Sequence, residues 1–270
     1  MVFEIVHPKG EKVPLVVSIP HCGVLFPDEI RNHFVPEQIT EPDDTDWYLQ
    51  QLYDFVPEMG ITLIFARYSR WVIDLNRDPE SKPLYNDGRV ITGLTPDKTF
   101  FGENIYRESS PDAEEIQRRL SLYYRPYHTQ IRELLTDLQQ TFSHVLLYDA
   151  HSIRRRVPSI YPKPFPDLIL GDNEETSAHP ALIRTAWETL VSGPYQPMHN
   201  TLFKGGYITR HFGQPQQGVH ALQLERSKDL YMDDTETRYA PDRAAIMQKH
   251  LRQLFTHLLH TLQKLNDESL

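Results

Sequence analysis

Two short apolar runs in this chain each end in a histidine. Leu15 to Ile19 (LVVSI) stops at Pro20, His21, Cys22 and Gly23, and Val145 to Tyr148 (VLLY) stops at Asp149, Ala150, His151 and Ser152. Continuous apolar runs of this length are the pattern of strands buried on both faces. The plainer reading of the second is a strand entering a capped turn, with Asp149 and His151 hydrogen-bonded locally. In open α/β sheets, however, ligands bind in the crevice outside the carboxyl ends of strands, so two histidines delivered there point to one shared site. Histidine is the commonest metal ligand, and a catalytic zinc needs three protein ligands with one position open. The cluster Glu41-Pro42-Asp43-Asp44-Thr45-Asp46 offers Asp43, Asp44 or Asp46 as the third. Asp46 would also serve as an N-terminal helix cap, but two strand-end histidines still call for an anionic companion.

Glu225 follows a third apolar run, Val219 to Leu224 (VHALQL), which puts a carboxylate at the same crevice. A glutamate beside zinc can take a proton from water and return it to a leaving amine while the metal polarises a carbonyl. A salt bridge with Arg226 is its plainer role. Arg67, Arg70 and Arg77, with Asn76, surround Trp71 to Leu75, and Arg154 lies three residues past His151. Guanidinium groups grip carboxylates through a planar fork. Any one of these arginines suits a surface ion pair as well, but the set suits a substrate bearing carboxylates. Tyr207 and Arg210, after Gly205-Gly206, are candidates to line the pocket. Cys22 has no partner arrangement that favours a thiol nucleophile. His211, His220, His250, His257 and His260 read as structural or surface residues.

The elements that must position these groups follow from pattern. Phe3 to Val6 and Val13 to Ile19 read as a hairpin around Lys9-Gly10, and Glu29 to His33 as a short helix. Trp47, Leu49, Leu52, Tyr53 and Val56 recur at helical spacing from Thr45 to Pro57, where Pro57 and Gly60 stop the helix. Thr62 to Ala66 and Trp71 to Leu75 read as strands. Pro79 to Ile105, rich in Gly, Pro, Asn and Asp, reads as a loop covering a site. A long helical pattern from Pro111 to Phe142 contains Pro126, which should kink or divide it. Asp167 to Leu170 reads as an edge strand, Pro180 to Val191 as a helix, Gly205 to Arg210 as a glycine-marked strand or turn, and Asp242 to Leu265 as a helix. Strands alternating with helices predict one α/β domain over residues 1–270, with a mixed, mostly parallel sheet.

Composition bounds the rest. With 270 residues, 39% hydrophobic, the chain can bury a large core. A net charge of -9, with no basic run beyond Arg154 to Arg156, argues against nucleic-acid binding. No apolar stretch approaches a membrane span, and MVFEIVHPKGEK lacks the apolar core of a signal peptide. Cys22 is the single cysteine, so no internal disulfide forms, which fits the cytoplasm. No pattern specifies an oligomeric state.

Six segments, SIPHCG (18–23), DTDWYLQQLYDF (44–55), SRWVIDLNRDP (69–79), YDAHSIR (148–154), GGYITRHFGQPQQGVHALQLE (205–225) and YMDD (231–234), resemble the N-formylglutamate amidohydrolase (deformylase) family of histidine degradation. They span most of the chain in one order. DLNR (74–77) also resembles a piece of the aspartoacylase and succinylglutamate desuccinylase enzymes, which belong with the zinc carboxypeptidases. The resemblance implies a three-layer α/β/α sandwich with a mixed, mostly parallel sheet. It implies zinc, or another divalent metal, at His21 and His151, with Asp46 as the acidic ligand and Asp44 in reserve. The carboxypeptidase acidic ligand follows the first histidine by three positions, where this chain has Val24. Glu225 becomes the general base, with Asn76 and Arg77, helped by Arg70 and Arg67, holding substrate carboxylates. The implied reaction is zinc-dependent hydrolysis of N-formyl-L-glutamate to formate and L-glutamate. The alternatives are a deacylase for another N-acylated acidic amino acid and a non-catalytic carboxylate-binding protein.

Overall fold

The computed structural model describes residues 1–82 and 92–269, and the expected loop over 79–105 therefore lies partly outside the described residues. Among the described residues, seven strands form one sheet: β1 (Phe3–Val6), β2 (Leu15–Ile19), β3 (Thr62–Ala66), β4 (Val145–Ile153), β5 (Leu168–Gly171), β6 (Pro197–His199) and β7 (Val219–Ser227). Their order is β1-β3-β2-β4-β7-β5-β6. The β3–β2, β2–β4, β4–β7 and β5–β6 pairs are parallel, and β1–β3 and β5–β7 are antiparallel.

Helices cover both faces, because β2, β4 and most of β7 are buried on both sides and expose no face to water. The helices that cover the sheet are α1 (Ala113–Arg119), α2 (Arg125–Gln139), α3 (Pro180–Ser192), α4 (Tyr207–Phe212) and α5 (Pro241–Asp267), with single helical turns at Asp28–Arg31, Pro36–Thr40 and Leu49–Leu52 besides. On one face Leu15, Val17, Leu146, Tyr148 and Leu222 share a core with Leu182 and Leu190 of α3 and Leu251 and Leu258 of α5. On the other, Val16, Ile64, Val145, Leu147 and Ala221 share a core with Ile131 and Leu135 of α2 and Ile208 and Phe212 of α4. Each large apolar side chain so buried contributes about 1.5–3 kcal/mol. This is the three-layer α/β/α arrangement.

Several local expectations are corrected. β1 forms no hairpin with β2 but pairs with β3. β2 is buried at every position and needs a strand on each side, whereas β1 alternates part-buried and exposed residues as an edge strand can. β4 and β7 do not stop before His151 and Glu225 but run on to Ile153 and Ser227, so both residues sit within strands. β5 is interior, and β6 takes the edge. Gly205 to Arg210 leads into helix α4, with Gly206 as its N-cap. The long helical pattern is divided just before Pro126 without ending there. A π-helical turn over Leu120–Tyr124 joins α1 to α2 just before the proline, and the extra residue accommodates a proline ring that would clash in a regular helix.

Trp71 to Leu75 is the most instructive difference. These residues are buried like a strand but pair with none. Buried backbone groups need partners, and here side chains and loop supply them. Arg119 Nη1 donates to the Val72 carbonyl at 3.0 Å, the Tyr106 hydroxyl to the Trp71 carbonyl at 3.2 Å, and His128 Nε2 to the Leu75 carbonyl at 2.8 Å. Asp74 N donates to the Leu94 carbonyl at 2.7 Å.

Two histidines of this framework are buried in neutral form. Burial holds both His128 and His220 down to about 3 from the ordinary 6.5, with His144 and His179 pressing further on His220. Between those values the unfolded chain binds more protons than the folded one. Stability should therefore fall as pH falls through that window, by about 1.4 kcal/mol per pH unit for each histidine once well below its unfolded value. Urea-unfolding midpoints should fall from pH 6 to pH 5, where the lowered histidines outweigh the opposing contribution of Glu225. His128→Phe, which keeps a ring in the stack, should make the fall shallower.

Candidate active site

Strand register builds the site. β4 and β7 pair so that Asp149 lies opposite Gln223 and His151 opposite Glu225. Residues in parallel register share a face, and faces alternate along each strand. The face that buries Val145, Leu147 and Ala221 lower down therefore presents Asp149, His151, Gln223 and Glu225 towards the carboxyl end. His21 stands just past β2, and Asp46 N donates to the His21 carbonyl at 2.9 Å, which fastens the acidic loop to that strand end. The helix expected from Thr45 shrinks to a turn over Leu49–Leu52, because Asp46 is engaged there and Tyr48 adopts a left-handed φ of 61°.

The two imidazoles meet across one carboxylate. His21 Nδ1 and His151 Nδ1 lie 3.9 and 3.3 Å from Asp46 Oδ2, and the ring centroids are 4.8 Å apart. One potential ligand atom from each of His21, Asp46 and His151 falls within 4.8 Å of the others, and all three residues are buried. A second carboxylate holds the far edge of each ring: His21 Nε2 is 2.7 Å from Asp74 Oδ1, and His151 Nε2 is 3.0 Å from Asp149 Oδ2. Such carboxylates orient a metal-binding imidazole and fix its tautomer, with Nε2–H pointing outward and the Nδ1 lone pair inward. Two nitrogens and a carboxylate oxygen match the three-ligand set of a catalytic zinc.

Charge balance agrees with that fit. Burial first, then the Arg70 charge, pushes His21 down to about 4, so it is the neutral imidazole a metal requires. Burial also disfavours a charged His151, but Asp149 and Asp46 overcome it and lift this residue to about 10. The two carboxylates thus demand a positive charge at this point, and a divalent cation would meet the same demand by displacing the His151 proton. Asp74 is held well below the usual carboxylate range against its burial by Arg70 and Arg77. Glu225 goes the other way. Burial raises it to about 8, and its Oε1 has no hydrogen-bond partner.

These groups border a cavity of about 280 Å³ whose lining includes His21, Asp46, Arg70, Arg77, His151 and Glu225. Arg70 Nη2 donates to Asp74 Oδ2 at 2.6 Å, and its guanidinium lies 5.1 Å from the Phe100 ring centroid. Arg77 holds the cavity wall, donating from Nε to the Thr92 carbonyl at 2.8 Å and from Nη2 to Thr92 Oγ1 at 2.9 Å.

Other expected residues are placed differently. Asn76 lines the cavity, but its carboxamide is engaged: Oδ1 accepts from Ile208 N at 2.7 Å and Nδ2 donates to Asp149 Oδ2 at 3.0 Å. Asp44 accepts from Trp71 Nε1 at 2.9 Å and Phe100 N at 3.0 Å, so both oxygens turn away from the histidines. Arg67, Arg154 and Tyr207 do not line the cavity. Arg67 pairs with Glu4 of the edge strand at 3.3 Å. Arg154, at an odd spacing from His151, turns away and binds Asp43. Tyr207 stacks on His211, its hydroxyl 3.2 Å from Nδ1. Asp74, and Asp149 beyond a local bond, were not read as site residues from sequence. Neither was Gln223, which lines the cavity while its Oε1 accepts from Gly206 N at 2.7 Å. The two-residue spacings Asp149/His151 and Gln223/Glu225 were the available signal.

Comparison with known proteins follows the same line. Residues 13–232 match the family described as N-formylglutamate amidohydrolase. An N-formylglutamate deformylase of Pseudomonas putida is 41% identical over 251 residues, 92% of this chain and 93% of that protein. One of Pseudomonas aeruginosa is 42% identical over 259 residues, 95% of this chain and 96% of that protein. The crystal structure of an N-formylglutamate amidohydrolase from Ralstonia eutropha JMP134 superposes with a TM-score of 0.80 at 27% identity, covering 100% of this chain and 99% of that one.

A Cβ added to Gly206 would sit 2.4 Å from Asn76 Nδ2 and 2.5 Å from its Oδ1. The Asn76 carboxamide is buried and bonded at both ends, so it cannot move cheaply. Gly206→Ala should destabilise the protein by about 1–3 kcal/mol in urea unfolding. An unchanged midpoint would mean that Asn76 swings aside.

Proposed function

The chain belongs to the N-formylglutamate amidohydrolase family, and on that premise we propose that it hydrolyses N-formyl-L-glutamate to formate and L-glutamate at a zinc ion held by His21, Asp46 and His151. The observation that carries this reading is the meeting of three buried ligand atoms within 4.8 Å on the wall of a cavity that also contains Glu225. Bound there, zinc would supply Lewis acidity, acidifying a water and polarising the formyl carbonyl.

The chain's own residues do the rest. Glu225 is the general base: it lines the cavity and its Oε1 has no partner, so as the carboxylate it can accept a proton from water and then donate one to the departing amide nitrogen. Arg70 and Arg77 border the same cavity and supply positive charge for the two substrate carboxylates, turning binding into orientation of the formyl group. Asp74 and Asp149 orient the imidazoles, and Asn76 braces Asp149 rather than gripping substrate. We place the reaction in histidine degradation and in the cytoplasm. The family resemblance supports the first. A lone, buried cysteine suits a reducing compartment and supports the second.

Formate release from N-formyl-L-glutamate by zinc-loaded protein tests the reading, with N-acetyl and N-succinyl glutamate assayed beside it. The formyl compound should be turned over fastest. Turnover of acetyl or succinyl substrate alone would reassign the acyl group, and metal-bound protein that hydrolyses none would reduce the site to binding. Glu225→Gln should keep its zinc while kcat falls by about 10²–10⁴-fold. Full turnover in that variant would remove Glu225 from the mechanism.

A further inference from the structure

Arg154 and Lys228 stand three residues beyond His151 and Glu225, on the continuations of neighbouring strands β4 and β7. Both reach back to Asp43, three positions before Asp46. Arg154 Nε donates to both Asp43 carboxylate oxygens, at 2.8 and 2.9 Å, and its Nη1 to the Thr235 carbonyl at 3.1 Å and Glu236 Oε2 at 3.3 Å. Lys228 Nζ, on a side chain only 2% exposed, donates to the Asp43 carbonyl at 3.0 Å. The third tie is the bond from Asp46 N to the His21 carbonyl. Within the loop, Thr45 N closes a turn onto the Pro42 carbonyl at 3.2 Å, and Asp44 is pinned by Trp71 and Phe100. The loop that carries Asp46 is thus fastened separately to the strand ends bearing His21, His151 and Glu225.

Loop stability alone does not explain this arrangement. The Arg154 and Asp43 side chains are 22% and 27% exposed, and ion pairs near the surface typically contribute only about 0–1 kcal/mol. Burying an ammonium against a carbonyl rather than a carboxylate is unfavourable by itself, and burial pulls Lys228 below its ordinary value. What the ties do achieve is spatial. They join into one frame the three strand ends whose side chains must keep a common distance from Asp46.

Resting on the metal-site reading above, we propose that Arg154 and Lys228 are positioning residues that lock the Asp43 turn and thereby set the Asp46 carboxylate against the two imidazoles. Arg154 acts through the Asp43 side chain, and Lys228 through the Asp43 backbone. Loosening either tie leaves all three ligands present but lets the aspartate drift from the shared point.

The test measures the metal itself. Zinc affinity is determined by chelator competition, and the visible spectrum of the cobalt(II)-loaded protein reports coordination geometry. The proteins are the unaltered chain, Asp43→Asn, Arg154→Gln, Arg154→Lys, the Asp43→Asn/Arg154→Gln pair, Lys228→Met and Lys228→Gln. Zinc affinity should fall by about tenfold or more in Asp43→Asn and Arg154→Gln, the loss typical when a partner behind a ligand is removed, and the cobalt spectrum should change with it. The double variant should be no worse than the weaker single, since both remove one link. Arg154→Lys, and Lys228→Gln relative to Lys228→Met, should recover part of the affinity because each keeps a donor. Unaltered zinc affinity and cobalt spectrum in folded Asp43→Asn and Arg154→Gln would overturn the proposal. An unaltered chain that binds neither metal would instead overturn the metal site on which it rests.

Discussion

Four buried carboxylates, Asp46 and Glu225 on the wall of one small cavity and Asp74 and Asp149 behind its histidines, exist together only because most of that charge is answered. An unpaired charge in a dry interior is far too unfavourable to persist, and like charges held close push one another towards protonation. Asp74 accepts from His21, Arg70 and the Asn76 backbone. Asp46 and Asp149 share His151, and Asn76 adds a second donor to Asp149. Asp149 Oδ1 and Glu225 Oε1 both lack a donor, but Asp149 is bonded through its other oxygen to His151 and Asn76, whereas Glu225 lines the cavity, which makes it the carboxylate best placed to exchange a proton. Burial raises Glu225, and the carboxylates around His151 make the gap between His21, Asp46 and His151 receptive to a cation.

That balance explains why so much of the surrounding structure is irregular. A regular strand at Trp71 to Leu75 would have put Asp74 and Asn76 on one face and spent their backbone groups on a sheet ladder. Released from the sheet, the segment brings Asp74 under His21 and Asn76 under Asp149 within two residues. Its backbone is then unpaired, and Arg119, Tyr106 and His128 from the helical layer and its adjoining loop satisfy it. Packing on that face therefore serves the site directly. The opposite layer, formed by α3 and α5 against Leu146, Tyr148 and Leu222, does ordinary hydrophobic work and leaves the strands free to carry polar groups on one side.

Much of the site was legible in the chain. His21, His151 and Glu225 stood out because buried-strand patterns led into them, whereas the residues left Asp43, Asp44 and Asp46 open and only the family resemblance favoured Asp46. Arg67, Arg154 and Tyr207 were grouped with them on nearness in sequence, and the structure turns all three away from the cavity. Nearness does not say which way a side chain points. Helical spacing from Trp47 to Val56 was likewise real but did not produce the full helix, because Asp46 and Tyr48 obey tertiary demands that no local pattern records. Residues 83–91 of the expected covering loop lie outside the described residues.

What the sequence by itself determined was the alternation of buried strands and helices, the absence of any charge pattern for nucleic acid, and the kinds of residue available for metal-assisted hydrolysis. Those properties are local: periodicity and side-chain chemistry are written residue by residue. Only the tertiary structure decided that Asp74 and Asp149 stand behind the imidazoles, that Asn76 donates to Asp149, and that Arg154 binds Asp43. Each of these depends on the register of strands, and the direction of loops, that are distant along the chain. A shift of a single residue between β4 and β7 would turn their partners to the opposite face.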